Sequence, residues 1–128
     1  MISGRVLMIE DNEQNAYLAR YLLEGAGLSV TVQRNGRDGI ASALADKPDL
    51  ILLDIQLPDL DGYAIARELK KDERTRHIPL VAVSSFAMPG EKAKAMELGC
   101  AAYIEKPIRA LNFVGVINRF LKPPEDPQ

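Results

Sequence analysis

The chain has 128 residues, 47% of them hydrophobic, and a formal net charge of −2. That length suffices to bury one core, and nothing in the composition suggests a second domain. The mild acidity excludes an electrostatic case for binding nucleic acid or an anionic membrane surface, and no apolar run approaches the ~20 residues of a membrane helix.

The first apolar run, Val6-Leu7-Met8-Ile9, is unbroken, as in a strand covered by helices on both faces, and it leads into Glu10 and Asp11. The residues before it lack the charged and apolar regions of a signal peptide. Leu18, Leu22 and Ala26 share a face at i, i+4 spacing and predict a helix that stops at Gly27. Residues 28–33 alternate between apolar and polar, which suits an edge strand. Asn35 predicts the cap of a helix carrying Ile40 and Leu44, which must end before Pro48. A second unbroken run, Leu50-Ile51-Leu52-Leu53, ends in Asp54, and Asp61 then predicts the cap of a helix with Ile65 and Leu69 inward.

Leu80-Val81-Ala82-Val83 leads to Ser84, and a fourth helix is predicted from near Pro89 through Ala93 and Met96. Cys100, the only cysteine, cannot form an internal disulfide, which suits a reducing cytoplasm; its small apolar surroundings read as core packing. Ala102-Tyr103-Ile104 leads to Glu105-Lys106, and the last helix carries Phe113, Ile117 and Phe120. The polar, proline-rich residues 123–128 read as a disordered terminus or the start of a linker, leaving residues 1–122 as one domain.

This is β-α repeated five times, a doubly wound α/β fold with right-handed crossovers and a parallel five-stranded sheet. The edge character of the second strand supports the order 2-1-3-4-5, in which the first and third strands meet at the topological switch point. The carboxyl ends of all strands then line one crevice, so Glu10, Asp11, Asp54, Ser84 and Lys106 converge. Two like charges ~5 Å apart repel by about 3 kcal/mol at an effective dielectric of ~20. A divalent cation together with Lys106 balances three such acids. Oxygen donors without histidine or cysteine favour Mg²⁺ over zinc, and Mg²⁺ commonly completes its shell with water and phosphate oxygens. A phosphoryl group is the expected guest. Singly, each element has a plainer reading: a helix cap for Glu10-Asp11-Asn12, a turn for Ser84, a surface lysine for Lys106. A strand-end acid such as Asp54, however, gains nothing from packing.

At these residues the chain resembles the receiver domain of bacterial two-component response regulators, over residues 4–121. The carriers are Glu10-Asp11-Asn12, the segment from Asp54 to Gly62, Ser84, and the segment from Gly99 to Pro107; the stretch from Val81 to Met88 is most similar to single-domain regulators of the DivK type. The resemblance implies the flavodoxin-like (βα)5 receiver fold and a cytoplasmic switch, rather than an enzyme acting on other molecules. Asp54 would accept a phosphoryl group from a phosphohistidine on a histidine kinase or a histidine phosphotransfer protein. Asp11, Asp54, the Gln56 backbone carbonyl and, through water, Glu10 would hold Mg²⁺. Lys106 would neutralise the phosphoryl oxygens, Ser84 would donate to them, and Tyr103 would turn inward as the switch aromatic. The Lys106–Pro107 bond is expected to be cis. A downstream target protein or kinase would read the face built from the fourth helix, fifth strand and fifth helix, roughly residues 89–121. The phosphodonor would dock on the first helix near Asn15, Ala16 and Leu18. Ser84 stands where threonine is common, Ser85 where alanine or glycine is usual, and Gln56 and Phe86 at positions that tune the lifetime of the acyl phosphate.

Other readings fit less well. A flavin-mononucleotide carrier of this architecture needs a hydroxyl- and amide-rich first loop, and Glu10-Asp11 would repel the cofactor phosphate. A phosphatase of the haloacid dehalogenase type needs a second acid two residues after its nucleophile, where this chain has Gln56. A histidine phosphotransfer protein needs a histidine on an exposed helix, whereas His77 precedes a strand. An unphosphorylated interaction module, or a receiver cut from a longer sensor kinase or output protein, is the remaining alternative.

Overall fold

The strands form where the apolar runs are longest, and both faces of each central strand are buried. The structure, a computed structural model, describes residues 4–85 and 89–121, with the backbone only at Leu111. Its strands are β1 (Arg5–Ile9), β2 (Ser29–Gln33), β3 (Leu50–Asp54), β4 (Leu80–Ser84) and β5 (Ala102–Glu105). They pair in parallel in the order β2-β1-β3-β4-β5, as expected. The helices are α1 (Glu13–Gly25), α2 (Gly36–Asp46), α3 (Gly62–Lys71), α4 (Glu91–Glu97) and α5 (Ala110–Phe120). Among the described residues no helix is long and apolar enough to cross a membrane.

Side chains alternate between the two faces of a strand, so the sheet has two core layers. Leu7, Ile9, Ile51 and Leu53 pack with residues of α2, α3 and α4, whereas Val6, Met8, Leu50 and Leu52 pack with α1 and α5. In β2 only Val30 is fully buried, which is the edge pattern. Cys100 is buried in the first layer, in keeping with a packing role.

Asn12, Asn35 and Asp61 cap α1, α2 and α3 by accepting from the backbone N–H groups of Asn15, Asp38 and Tyr63. Three details differ from the sequence expectation. The buried stripe of α1 centres on Ala19 and Leu23, with Leu18 and Leu22 only half-buried beside it, because the small Ala19 lets the helix lie close on the sheet. In α2 the deepest positions are Gly36, Gly39, Ser42 and Ala43, while Ile40 lies at the edge of the core. Helix α4 starts at Glu91, just past Pro89 rather than at it, because Gly90 has φ +90°, outside the helical region. Phe86 and the tail 123–128, each given a role in the sequence reading, lie outside the described residues.

Gly62 and Gly39 lie so close to their neighbours that an added Cβ would force a shift. A Cβ on Gly62 would stand 2.4 Å from the Ile55 backbone Cα, and one on Gly39 would stand 2.5 Å from Ile9 Cδ1. Gly115, within α5, has nothing within 4 Å of such a position. Gly62→Ala is therefore expected to cost about 2–3 kcal/mol and Gly39→Ala about 1–2 kcal/mol by overpacking. Gly115→Ala should instead add about 0.5–1 kcal/mol through helix propensity. Urea unfolding of the three variants would check both the signs and the order.

Candidate functional site

Strand ends bring the acids and the amine together. One carboxylate oxygen from each of Glu10, Asp11 and Asp54 lies within 4.8 Å of the others. Glu10 and Asp54 are 1% and 3% exposed, so two of the three charges lack the screening of bulk water. Lys106 Nζ stands 2.8 Å from Glu10 Oε1 and 3.4 Å from Asp54 Oδ2. Backbone bonds that extend the sheet set this placement: Glu10 N–H donates to the Gln33 carbonyl at 2.9 Å, and Lys106 N–H to the Ser84 carbonyl at 2.8 Å. The Lys106–Pro107 peptide is cis, as expected. Because Asn12 caps α1, the carboxylates of Glu10 and Asp11 are left to face the crevice.

The loop after Asp54 is tied down at both ends. Gln56 N–H donates to Asp54 Oδ1 at 2.9 Å, Gln56 bridges to Asp61, and Gly62 N–H donates to the Ile55 carbonyl at 3.0 Å. Asp59 reaches across to α2 and accepts from the N–H groups of Gly36 at 2.7 Å and Arg37 at 3.1 Å. The Gly36 bond leads in holding its carboxyl below the usual range. Sequence reading missed Asp59, since its partners lie more than twenty positions earlier in the chain.

Ser84, at the end of β4, is wholly buried and lies beside the site. Tyr103, on the neighbouring strand β5, is half-buried against the first core layer. A residue unforeseen in the sequence, Glu91 of α4, joins them: its Oε2 accepts from Tyr103 Oη at 3.0 Å and from Ser84 Oγ at 3.4 Å. An acid in the first turn of a helix reads as dipole compensation, so no local signal marked it.

The donor set suits a hard divalent cation: three carboxylates and a neighbouring backbone, all oxygen. One observation bears on the fit directly. Glu10 Oε1 is buried and lacks an aligned hydrogen-bond donor, although the Lys106 ammonium is close enough to neutralise it. Burial pushes the Glu10 carboxyl up to about 7; the Asp54 carboxylate beside it adds to the rise, and Lys106 opposes it.

This raised value has a definite sign in stability. Between pH ~4.5 and ~7 the folded protein holds a proton on Glu10 that the unfolded chain has lost. In metal-free buffer, stability should thus fall as pH rises through that window, by a few degrees in melting temperature. Glu10→Gln should flatten the slope. A pH-melting series of both proteins in chelator would test it, and an unchanged slope in the variant would reassign the titrating group.

Residues 6–118 match the response regulator receiver domain family. The chain is 43% identical over 116 residues to the polar-differentiation response regulator DivK of Brucella anthropi, a match covering 91% of this chain and 94% of that protein. Among solved structures it is similar to the receiver domain of a sensor histidine kinase from Pseudomonas aeruginosa PAO1, with a magnesium ion coordinated in that protein's active-site cleft. That similarity has 29% identity and TM-score 0.84 and covers 93% of this chain and 98% of the other. Chemotaxis protein CheY4 of Vibrio cholerae, at 20% identity, TM-score 0.87 and coverage of 94% and 100%, shares the fold. Receiver domains use Mg²⁺ at their acidic site, and the cluster of Glu10, Asp11 and Asp54 stands where such a site lies. Sheet order, acidic crevice and these relationships agree, and the chain belongs to the response regulator receiver domain family of two-component signalling.

Proposed function

We propose that this receiver is a phosphorylation-dependent switch in which Asp54 is the phosphoacceptor. The observation that carries the reading is the convergence of Glu10, Asp11 and Asp54 with Lys106 at one strand-end crevice. Asp54 attacks the phosphorus of a phosphohistidine on a histidine kinase or phosphotransfer protein. An oxygen–phosphorus bond forms as the phosphorus–nitrogen bond breaks, and the histidine nitrogen leaves. The Gln56 N–H orients the Asp54 carboxylate through its Oδ1. Lys106, already 3.4 Å from Asp54 Oδ2, offers its ammonium to the charge gathering on the phosphoryl oxygens, which is most of what phosphoryl transfer demands. Asp11, Asp54 and the Gln56 backbone carbonyl would hold Mg²⁺, with Glu10 acting through water. When bound, the ion supplies positive charge to those same oxygens.

Ser84 then donates its hydroxyl to the phosphoryl group, and Tyr103 follows it inward. The reader of this change is a target protein or kinase on the face built from α4, β5 and α5. Support for that surface is the position of Tyr103 on β5 and the link from Ser84 through Glu91 to α4. The phosphodonor docks on α1 near Asn15, Ala16 and Leu18. There, exposed Tyr17 and Tyr21 stack with ring centroids 6.4 Å apart, the kind of rigid aromatic surface that anchors a partner.

Incubation with acetyl phosphate and Mg²⁺ should add one phosphoryl group, and Asp54→Asn should abolish the addition, as read by intact mass. Labelling that persists undiminished in Asp54→Asn would overturn the assignment. Lys106→Ala keeps the acids but removes a cation from the crevice, so phosphorylation should slow by about 10- to 100-fold, the scale of a lost charge-stabilising contact. The phosphorylated variant should also lose the amide chemical-shift changes across residues 89–121 that accompany phosphorylation in the parent. Shift changes of parental size in the variant would separate Lys106 from the response.

A further inference from the structure

The first N–H groups of a helix have no partner within it. In α2 they are met from two directions. Asn35, at the cap, accepts from the Asp38 N–H at 2.9 Å, a contact between near neighbours. The N–H groups of Gly36 and Arg37 are instead met by Asp59, whose Oδ1 and Oδ2 accept from them at 2.7 and 3.1 Å. An apolar contact lies beside these bonds: a Cβ on Gly36 would stand 3.0 Å from Leu60 Cβ and 2.7 Å from Ile65 Cδ1. The chain at Asp59 and Leu60 is thus fastened to the start of α2. We propose that Asp59 is a positioning residue for Mg²⁺, holding the Gln56 carbonyl at the crevice by pinning the tip of its loop to α2.

This role rests on the reading above, in which the Gln56 carbonyl is a ligand of the ion. A side-chain ligand can be re-aimed by rotation about its own bonds, whereas a backbone carbonyl points where its peptide plane is held. The plane carrying this carbonyl joins Gln56 to Leu57. On the crevice side, the Gln56 N–H donates to Asp54 Oδ1 at 2.9 Å and Gln56 bridges to Asp61. On the other side, only Leu57 and Pro58 separate the plane from Asp59, and the proline ring removes one of the rotations that could absorb a shift. Asp59 is exposed, yet its donors are backbone N–H groups fixed in a helix, so the tie has a defined length. Mg²⁺ demands near-ideal octahedral geometry with ligands at about 2.0–2.1 Å, so a tip released from α2 loosens the carbonyl and costs affinity.

A calorimetric Mg²⁺ titration of the parent chain, Asp59→Ala, Asp59→Asn and Asn35→Ala tests this, together with amide hydrogen exchange of the same proteins in chelator. Asp59→Ala should weaken Mg²⁺ binding by about tenfold, the low end for losing the support of a metal ligand. Asp59→Asn keeps one acceptor and should fall between Asp59→Ala and the parent. Both variants lose the same charge, so the difference between them reports the hydrogen bonds. Asn35→Ala removes the other cap of α2 and should leave the affinity within about twofold, which separates loss of the tie from general weakening of the helix. In chelator, the Gln56 and Gly62 amides should exchange faster in Asp59→Ala, by a larger factor than those of β1 and β3, which report unfolding of the core. Parental affinity in Asp59→Ala, an equal loss in both Asp59 variants, or the same loss in Asn35→Ala overturns the positioning role and leaves the Mg²⁺ site standing. Parental exchange at Gln56 and Gly62 in Asp59→Ala overturns it too. A parent chain that binds no Mg²⁺ overturns the metal reading along with it.

Discussion

Everything at the carboxyl end of the sheet answers to one electrostatic constraint: three carboxylates share a crevice, and two of them are buried. Buried like charges at this separation cost several kcal/mol unless neutralised or protonated. The fold answers in two ways. It brings Lys106 from the far side of the sheet to within salt-bridge distance of Glu10 and Asp54, and it lets the Glu10 carboxyl hold its proton to near neutral pH. Neither fully satisfies the group, since Glu10 Oε1 lacks an aligned donor. A crevice with residual negative charge and unmet acceptors is primed for a hard cation.

The division of labour between strands and loops follows from that constraint. Charged groups that must keep a fixed separation sit on or directly after buried strands, whose positions are set by two core layers. Groups reporting on the site reach outward from there. Asp59 ties the loop after Asp54 to the first turn of α2, and Glu91 ties Ser84 and Tyr103 to α4. The first tie joins a carboxylate to backbone N–H groups, which cannot rotate away. The second joins it to two hydroxyls, which can.

Kinship sharpens this picture without supplying it. A DivK protein aligns along nearly the whole chain, and a receiver with a coordinated magnesium ion shares the architecture. Around the crevice this chain carries Ser84 and Ser85 on β4 and just beyond, Gln56 after Asp54, and Glu91, which accepts from the Ser84 and Tyr103 hydroxyls.

Much of this was legible from local pattern. Unbroken apolar runs marked β1, β3 and β4 because strands buried on both faces need apolar residues at every position. Alternation marked β2 as an edge, and Asn35 and Asp61 announced their helices because capping is chemistry between near neighbours. An acid, a hydroxyl or an amine at the end of each run placed the crevice. Only the tertiary structure decided which groups touch. The buried stripe of α1 falls on Ala19 and Leu23 rather than one residue earlier, since the docking angle on the sheet selects among overlapping stripes. Asp59 and Glu91 are unremarkable in sequence, their partners lying 23 and 22 positions away in one case and 12 and 7 in the other. Periodicity records what a residue faces within its own element. Contacts between elements depend on packing distances and loop paths, which no local pattern carries.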